Sequence, residues 1–191
     1  IPREYITYDV LHSEGLKAVR YAVNHIDADI PSKYVMKLSE NKSNSLREFQ
    51  NIFIRSRLQL IGMTYGIMEY IVKNINKYAR KEIPFVQKEI SDIETAYEVS
   101  KIMYDYICNN ISPEKLVSDK LMEANIIKSL ATEYTYNTAR KAQKLLGAKG
   151  FETGHPISNV AIDFRPFTIF EGPNDMLYAE IYDQFSKVTS E

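Results

Sequence analysis

Between residues 84 and 107 the apolar positions Val86, Ile90, Ile93, Tyr97, Tyr104 and Ile107 recur at helical steps. That places them on one side of an α-helix, and Pro84 fits its first turn, where a missing N–H removes no bond. Upstream, Leu46 to about Arg80 has no strong stop and reads as one long helix, which Ser45 and Glu48 would open as an S-x-x-E capping box. Downstream, Ser112-Pro113 fits an N-cap followed by proline, starting a helix to about Leu146. Its expected inner face alternates small and large residues: Ala124, Ile127, Ala131, Tyr134, Thr138, Ala142 and Leu145. Gly147 and Gly150 end it, because glycine tolerates the left-handed geometry of a helix C-terminus. Gly172-Pro173 then opens a last helix to about Lys187.

Before these helices, residues 1–12 read as extended or irregular, and Ser13 to about Asp27 as a short helix stopped by Pro31. Asn41 to Ser45 reads as a loop. No strand pattern competes. The expected fold is all-α, an up-down-up-down four-helix bundle with short additional helices at the N-terminus and before the last helix. The expected division is 1–44, an N-terminal segment with a short helix joining from a preceding domain, and 45–191, the bundle.

At 191 residues the chain is long enough for one good core. With 24 basic against 25 acidic residues there is no charge surplus for nucleic acid or an anionic membrane. The longest uncharged apolar-leaning run, Leu58 to Met68, is short of the about 20 residues a membrane span needs. Cys108 is the single cysteine, which excludes an internal disulfide and fits a reducing, cytoplasmic setting. Ile1-Pro2-Arg3-Glu4 carries neither a signal peptide nor a starting Met, so a longer parent is expected. His12, His25 and His155 are scattered, and no His-x-x-x-His or Glu-x-x-His pair occurs, so no metal site is expected. The 14 tyrosines fall mostly on the helices and read as packing residues.

The chemistry-bearing stretch is the last fifth. Leu146-Gly147-Ala148-Lys149-Gly150-Phe151 is followed by an irregular Gly/His/Pro segment and then Ile162-Asp163-Phe164-Arg165. Beyond these comes Ile169-Phe170-Glu171-Gly172-Pro173-Asn174-Asp175-Met176. This resembles the C-terminal signature of the acyl-CoA dehydrogenases: a turn like L-G-G-x-G-[FY], an R-D-x-[RK] loop, and [IY]-[YF]-E-G-[TSP]-[NS]-[DE]-[IM]. Arg57, Gly66, Lys77-Tyr78-Ala79 and Lys128 sit at compatible places in the preceding helices. The resemblance runs from about Arg47 to Phe185.

The resemblance implies that this is the C-terminal α-helical domain of a flavin-dependent acyl-CoA dehydrogenase-like protein, whose N-terminal helical and middle β-domains are not in the chain. FAD would belong to the full-length parent, and this fragment alone would neither hold it stably nor turn over. Glu171 would take the proton next to the thioester carbonyl, with its carboxylate facing inward at the mouth of the bundle. Phe167, Ile169 and Phe170 would exclude water and raise its pKa, against a helix N-terminus that favours its ionised form. Arg57, Phe170 and Gly172 would line the acyl-CoA site. Gly147, Gly150, Arg80 and Gln87 would touch the cofactor, the last two from a turn that in the family reaches a flavin across a dimer interface. A homo-oligomer, dimer or tetramer, is implied.

Residue by residue, plainer readings stand beside these. Glu171 fits a solvated acid at a helix start, Arg57 a solvated helix edge, and the glycine turn a simple helix stop. The chain also departs from the family pattern. The family's Phe-Gly turn is replaced by Tyr78-Ala-Arg80-Lys-Glu-Ile-Pro-Phe-Val-Gln87, the second glycine of the later turn is Ala148, the Arg of R-D is Ile162, and Pro173 stands for the usual Thr. These departures keep a second function open, a catalytically lapsed bundle acting as an oligomerisation or interaction module.

Overall fold

In the computed structural model the described residues are 1–35, 42–111 and 120–188. Two strands, β1 (Thr7–Leu11) and β2 (Tyr21–His25), precede five helices: α1 (Lys42–Tyr78), α2 (Pro84–Asn110), α3 (Leu121–Leu145), α4 (Pro156–Asp163) and α5 (Asn174–Val188). Single 3₁₀ turns lie at Arg3–Tyr5, Ser32–Tyr34, Gly147–Phe151 and Arg165–Thr168.

The architecture is the expected all-α bundle. The three long helices span 37, 27 and 25 residues. α1 packs on both α2 and α3, and α5 packs on α3. α5 runs antiparallel to α3: Asn174 meets Ser129 and Thr132, while Glu180 meets Asn125. It therefore covers only the first half of α3. The short α4 fills the seam along the second half, where Ile157, Val160 and Ala161 join Met68, Ile71, Ile75, Val86, Ile90, Ile93, Ala139 and Ala142 in one apolar cluster. A second cluster, Ile54, Leu58, Ile61, Ala124, Ile127 and Ala131, lies toward the start of α1.

The short helix expected over Ser13 to Asp27 is not there. β1 and β2 form an antiparallel hairpin instead, with Thr7 opposite His25 and Leu11 opposite Tyr21. Thr-Tyr-Asp-Val-Leu and Tyr-Ala-Val-Asn-His carry the β-branched and aromatic residues that favour extended backbone. The loop between them docks on the bundle. Leu16, in the left-handed region at φ 51, donates its N–H to Asp163 Oδ1 at 2.6 Å. A Cβ on Gly15 would lie 2.6 Å from the Ile162 carbonyl oxygen, so only glycine permits that approach.

Helix boundaries moved as well. α1 begins at Lys42, so the Ser45–Glu48 pair lies inside it and is not its opening. Ser112 and Pro113 lie outside the described residues, and α3 is helical from Leu121. Tyr134, expected on its inner face, is exposed, while Ala124, Ile127, Ala131, Thr138 and Ala142 are buried as read.

Candidate functional site

The 3₁₀ turn ending at Thr168 hands the chain to a short segment that must double back before α5 begins. Two consecutive residues make that reversal with positive φ, Glu171 at 60° and Gly172 at 101°. Glycine takes such angles freely; an L-residue such as glutamate is disfavoured there by about 1–2 kcal/mol. Something must hold Glu171 in place, and two cations do.

Arg57, on α1, donates from Nε to the Glu171 carbonyl oxygen at 2.9 Å. Its Nη1 donates to Asn125 Oδ1 on α3, and Asn125 Nδ2 in turn donates to Glu180 Oε2 on α5 at 2.8 Å. One arginine thus links α1, α3, α5 and the reversal. The guanidinium also stands over the Phe53 ring, 5.5 Å from its centroid. A Cβ on Gly172 would come within 3.2 Å of Arg57 Nη2, so glycine there admits the arginine as well as the turn.

Lys128, on α3, is 1% exposed. Its Nζ donates to the Gly172 carbonyl oxygen and to Asn174 Oδ1, each at 2.7 Å, and more weakly to the Thr168 carbonyl at 3.4 Å. Three acceptors for the three N–H groups of an ammonium is a full complement. Asn174 is fixed in turn by its Nδ2 donating to the Ser129 carbonyl, Thr132 Oγ1 and Glu133 Oε2. Burial lowers the Lys128 pKa and nearby Arg57 lowers it further; Glu171 and Glu133 oppose them, leaving it at about 8 against an ordinary 10.5. The Arg57 pKa is also lowered by burial, an effect that Glu180 and Glu171 oppose.

The Glu171 side chain is half-buried and close enough to act electrostatically on both Arg57 of α1 and Lys128 of α3. Its carboxylate makes no hydrogen bond or ion pair among the described residues. Its aromatic surroundings are thinner than the sequence led one to expect. Phe167 is buried against Leu60 and Phe164, and Phe170 is half-buried against Phe167 and Tyr21, but Ile169 is 60% exposed and shields nothing. The Tyr21 hydroxyl, beside Phe170, is buried without a hydrogen-bond partner among the described residues.

Arg80, Gln87, Gly147 and Gly150 gather at the other end of the bundle, where the α1–α2 turn meets the end of α3. Gln87 spends its amide on the Lys81 carbonyl at 2.8 Å. Gly150 is required by the chain's own packing, since a Cβ would sit 2.1 Å from the Gln143 carbonyl oxygen. Gly147, at φ 61, faces open space. From Arg57 to the end of α1 at Tyr78 is about 30 Å along the helix axis. This turn and Glu171 therefore lie well apart along α1.

Sequence reasoning brought Arg57, Lys128, Glu171 and Gly172 to attention separately; the fold brings them together. It missed Asn125 and Glu180, and gave Asn174 no role beyond its place in the motif. The signal for Asn125 was present: Asn125, Ser129, Thr132, Thr135 and Thr138 place hydrogen-bonding groups on a face of α3 that is otherwise alanine and isoleucine. Buried polar groups ordinarily find partners; in this stripe Thr135 Oγ1 has none among the described residues.

Over residues 46–185 the sequence matches the family described as acyl-CoA dehydrogenase, C-terminal domain. The chain belongs to that family. No curated protein sequence matches this acyl-CoA dehydrogenase domain significantly. Among solved structures it is similar to an acyl-CoA dehydrogenase from Geobacillus kaustophilus, with TM-score 0.83 and 18% identity, over 97% of this chain and 50% of that one. It is also similar to the prolyl acyl carrier protein oxidase AnaB, with TM-score 0.84 and 13% identity, over 97% and 51%. A third is a glutaryl-CoA dehydrogenase from Mycobacterium smegmatis in complex with FADH2, with TM-score 0.81 and 13% identity, over 96% and 48%. At these identities the likeness is one of fold. The chain spans about half the length of the structures it matches.

Proposed function

We propose that this chain is the C-terminal helical domain of a longer flavoprotein that dehydrogenates acyl-CoA thioesters between the α and β carbons, with Glu171 as the base. The observation that carries the reading is the Glu171 carboxylate: half-buried, without a hydrogen-bond partner among the described residues, and on a backbone pinned from both sides. A general base must present a free lone pair at a fixed point, within hydrogen-bond reach of the proton it removes. Glu171 would take the α proton as the β hydrogen leaves with its electron pair, so that the product is the α,β-unsaturated thioester and a protonated Glu171. Bound flavin would supply the acceptor for that hydride. Gly172 keeps the backbone beside the base thin enough for a ligand to approach, and Phe170 presents an apolar edge. In this reading Arg57 serves the site through the Glu171 carbonyl, since its Nε and Nη1 are already engaged within the chain.

FAD fits the parent protein, as one similar structure holds its reduced form. The Arg80–Gln87 and Gly147–Gly150 turns then serve a flavin other than the one facing Glu171 of the same chain, which calls for an assembly of at least two copies. The domain boundary is put at residue 45, with 1–44 belonging to the preceding part of the protein, and the setting is taken to be cytoplasmic.

Purified longer protein with Glu171→Gln should stay yellow and oligomeric, and lose acyl-CoA-driven bleaching of its flavin by about 10³-fold or more. Wild-type bleaching in that variant would remove Glu171 from the chemistry. A colourless wild-type protein that still assembles would instead favour the interaction-module reading, for which the observation is that Gln87 is committed to its own turn.

A further inference from the structure

The mechanism proposed above uses Glu171 and leaves unexplained why two cations are buried behind it. We propose that Arg57 and Lys128 are positioning residues, a two-point clamp that holds the Glu171–Gly172 backbone in its left-handed reversal and thereby aims the base. The inference rests on the reading of Glu171 as the base, and it adds a regulation of that site by pH.

The geometry supports a clamp specific to this segment. Arg57 grips the carbonyl of Glu171 and Lys128 the carbonyl of the next residue, from α1 and α3 respectively. Neither cation makes a direct ion pair with a carboxylate among the described residues. Buried cations are ordinarily neutralised by an adjacent carboxylate; here carbonyl and amide oxygens do that work, and apart from Asn125 Oδ1 on α3 they belong to residues 168–174, around the base. The strained φ of Glu171 is the conformation such a grip must enforce.

Lys128 is the pH-sensitive half. As an ammonium it has one N–H for each of its three acceptors. As an amine it keeps two donors and turns a lone pair toward one of those oxygens. The charged groups facing this cluster are Arg57 on α1, Glu133 on α3, Glu171 on the reversal and, through Arg57, Glu180 on α5. Their balance with burial puts the lysine's transition at about pH 8. Above it the grip on the Gly172 carbonyl loosens and the base loses its aim. Arg57 stays charged throughout and keeps the segment attached.

The test uses the longer flavoprotein and its Lys128→Met, Lys128→Arg and Glu171→Gln variants. Two quantities are read from pH 6.5 to 9.5: the rate of flavin bleaching by acyl-CoA, and amide hydrogen exchange of the peptide spanning residues 166–177. Wild type should show bleaching that declines through about pH 8, with the protection of that peptide, after correction for the intrinsic pH dependence of exchange, falling in parallel. Lys128→Met should bleach tenfold or more slowly with acyl-CoA affinity within twofold of wild type. It should show no decline at pH 8, and its peptide should exchange rapidly at every pH. Lys128→Arg should retain the clamp and carry it past pH 9. Wild-type rate and exchange in Lys128→Met would overturn the proposal, as would a decline at pH 8 that persists in both lysine variants. If Lys128→Met does not fold, the wild-type and Lys128→Arg profiles decide: identical profiles overturn the clamp. The two ideas fail separately. Normal bleaching by Glu171→Gln with fast exchange in Lys128→Met sinks the base and keeps the clamp; lost bleaching with unchanged exchange does the reverse.

Discussion

At the end of the bundle where α1 turns into α2, Met68, Ile71, Ile75, Val86, Ile90 and Ile93 meet Ala139 and Ala142 in one apolar cluster. Toward the other end the same two helices, α1 and α3, bury Arg57, Asn125, Lys128, Ser129 and Thr132, with Asn174 from α5. The first region is held by apolar area removed from water; the second adds to its own apolar cluster, Ile54, Leu58, Ile61, Ala124, Ile127 and Ala131, hydrogen bonds that return only part of the cost of desolvating their charges. The polar end fixes two carbonyl groups at hydrogen-bond length. The contrast is between a region that provides stability and one that spends stability on a geometry.

The largest effect should come from damaging the apolar end. Ile71 is fully buried at the centre of its cluster. Ile71→Ala should destabilise the protein by about 2–5 kcal/mol, through lost burial and the cavity left behind. Denaturant unfolding checks it; a loss under about 1 kcal/mol would mean that this end is not the stabilising one.

A smaller effect, with an unusual sign, is expected from Lys128. Its pKa is lowered in the folded protein to about 8 from 10.5. Below pH 8 folded and unfolded states both hold the proton, and the cost of burying the charge is fully present. Between about 8 and 10.5 the unfolded chain still holds the proton while the folded one has released it, so this group makes stability rise with pH. Bleaching should fall over the same lower range in which this contribution rises. Unfolding curves of wild type and Lys128→Met, compared pH by pH, isolate the lysine from other groups; the variant should lack the rise. Equal slopes in the two proteins would break the contrast, because Lys128 would then carry no desolvation cost.

The two ends also differed in how far the sequence disclosed them. The apolar end is written in periodicity: Val86, Ile90 and Ile93 were placed on the inner face of α2 and are buried there. So were the helix stop at Gly147 and the break before α5. Nothing in a 3.6-residue period says that Lys128 points inward, since a lone lysine on a helix reads as solvated. Its burial follows from Gly172 and Asn174, which are distant in sequence and brought to it by the reversal. The motif around Glu171 revealed the family without revealing the support behind the glutamate. β1 falls in the stretch read as extended, but residues 13–27 were misread as a helix because β2 is short and mostly exposed and follows a loop in which Leu16, not a glycine, adopts positive φ. What holds that loop is Asp163, far along the chain.

The smallest effect probes the strain directly. Glu171 sits at φ 60 with its carboxylate acting on Arg57 and Lys128. Any substitution that removes the carboxylate also removes that attraction, so wild type is the wrong reference for strain. Glu171→Gln and Glu171→Gly both lose the charge, but only the glycine loses the Cβ that disfavours positive φ. Left-handed backbone costs an L-residue about 1–2 kcal/mol, and glycine returns about 0.5–1 kcal/mol of that through the greater freedom of its unfolded chain. Glu171→Gly should therefore be more stable than Glu171→Gln by about 0.5–1 kcal/mol, read as a melting-temperature difference of a few degrees at pH 7. Equal stability would mean that Gln relaxes out of the reversal once its charge is gone. The clamp would then need the glutamate's own attraction to Arg57 and Lys128 to close, and the base would be part of the device that aims it.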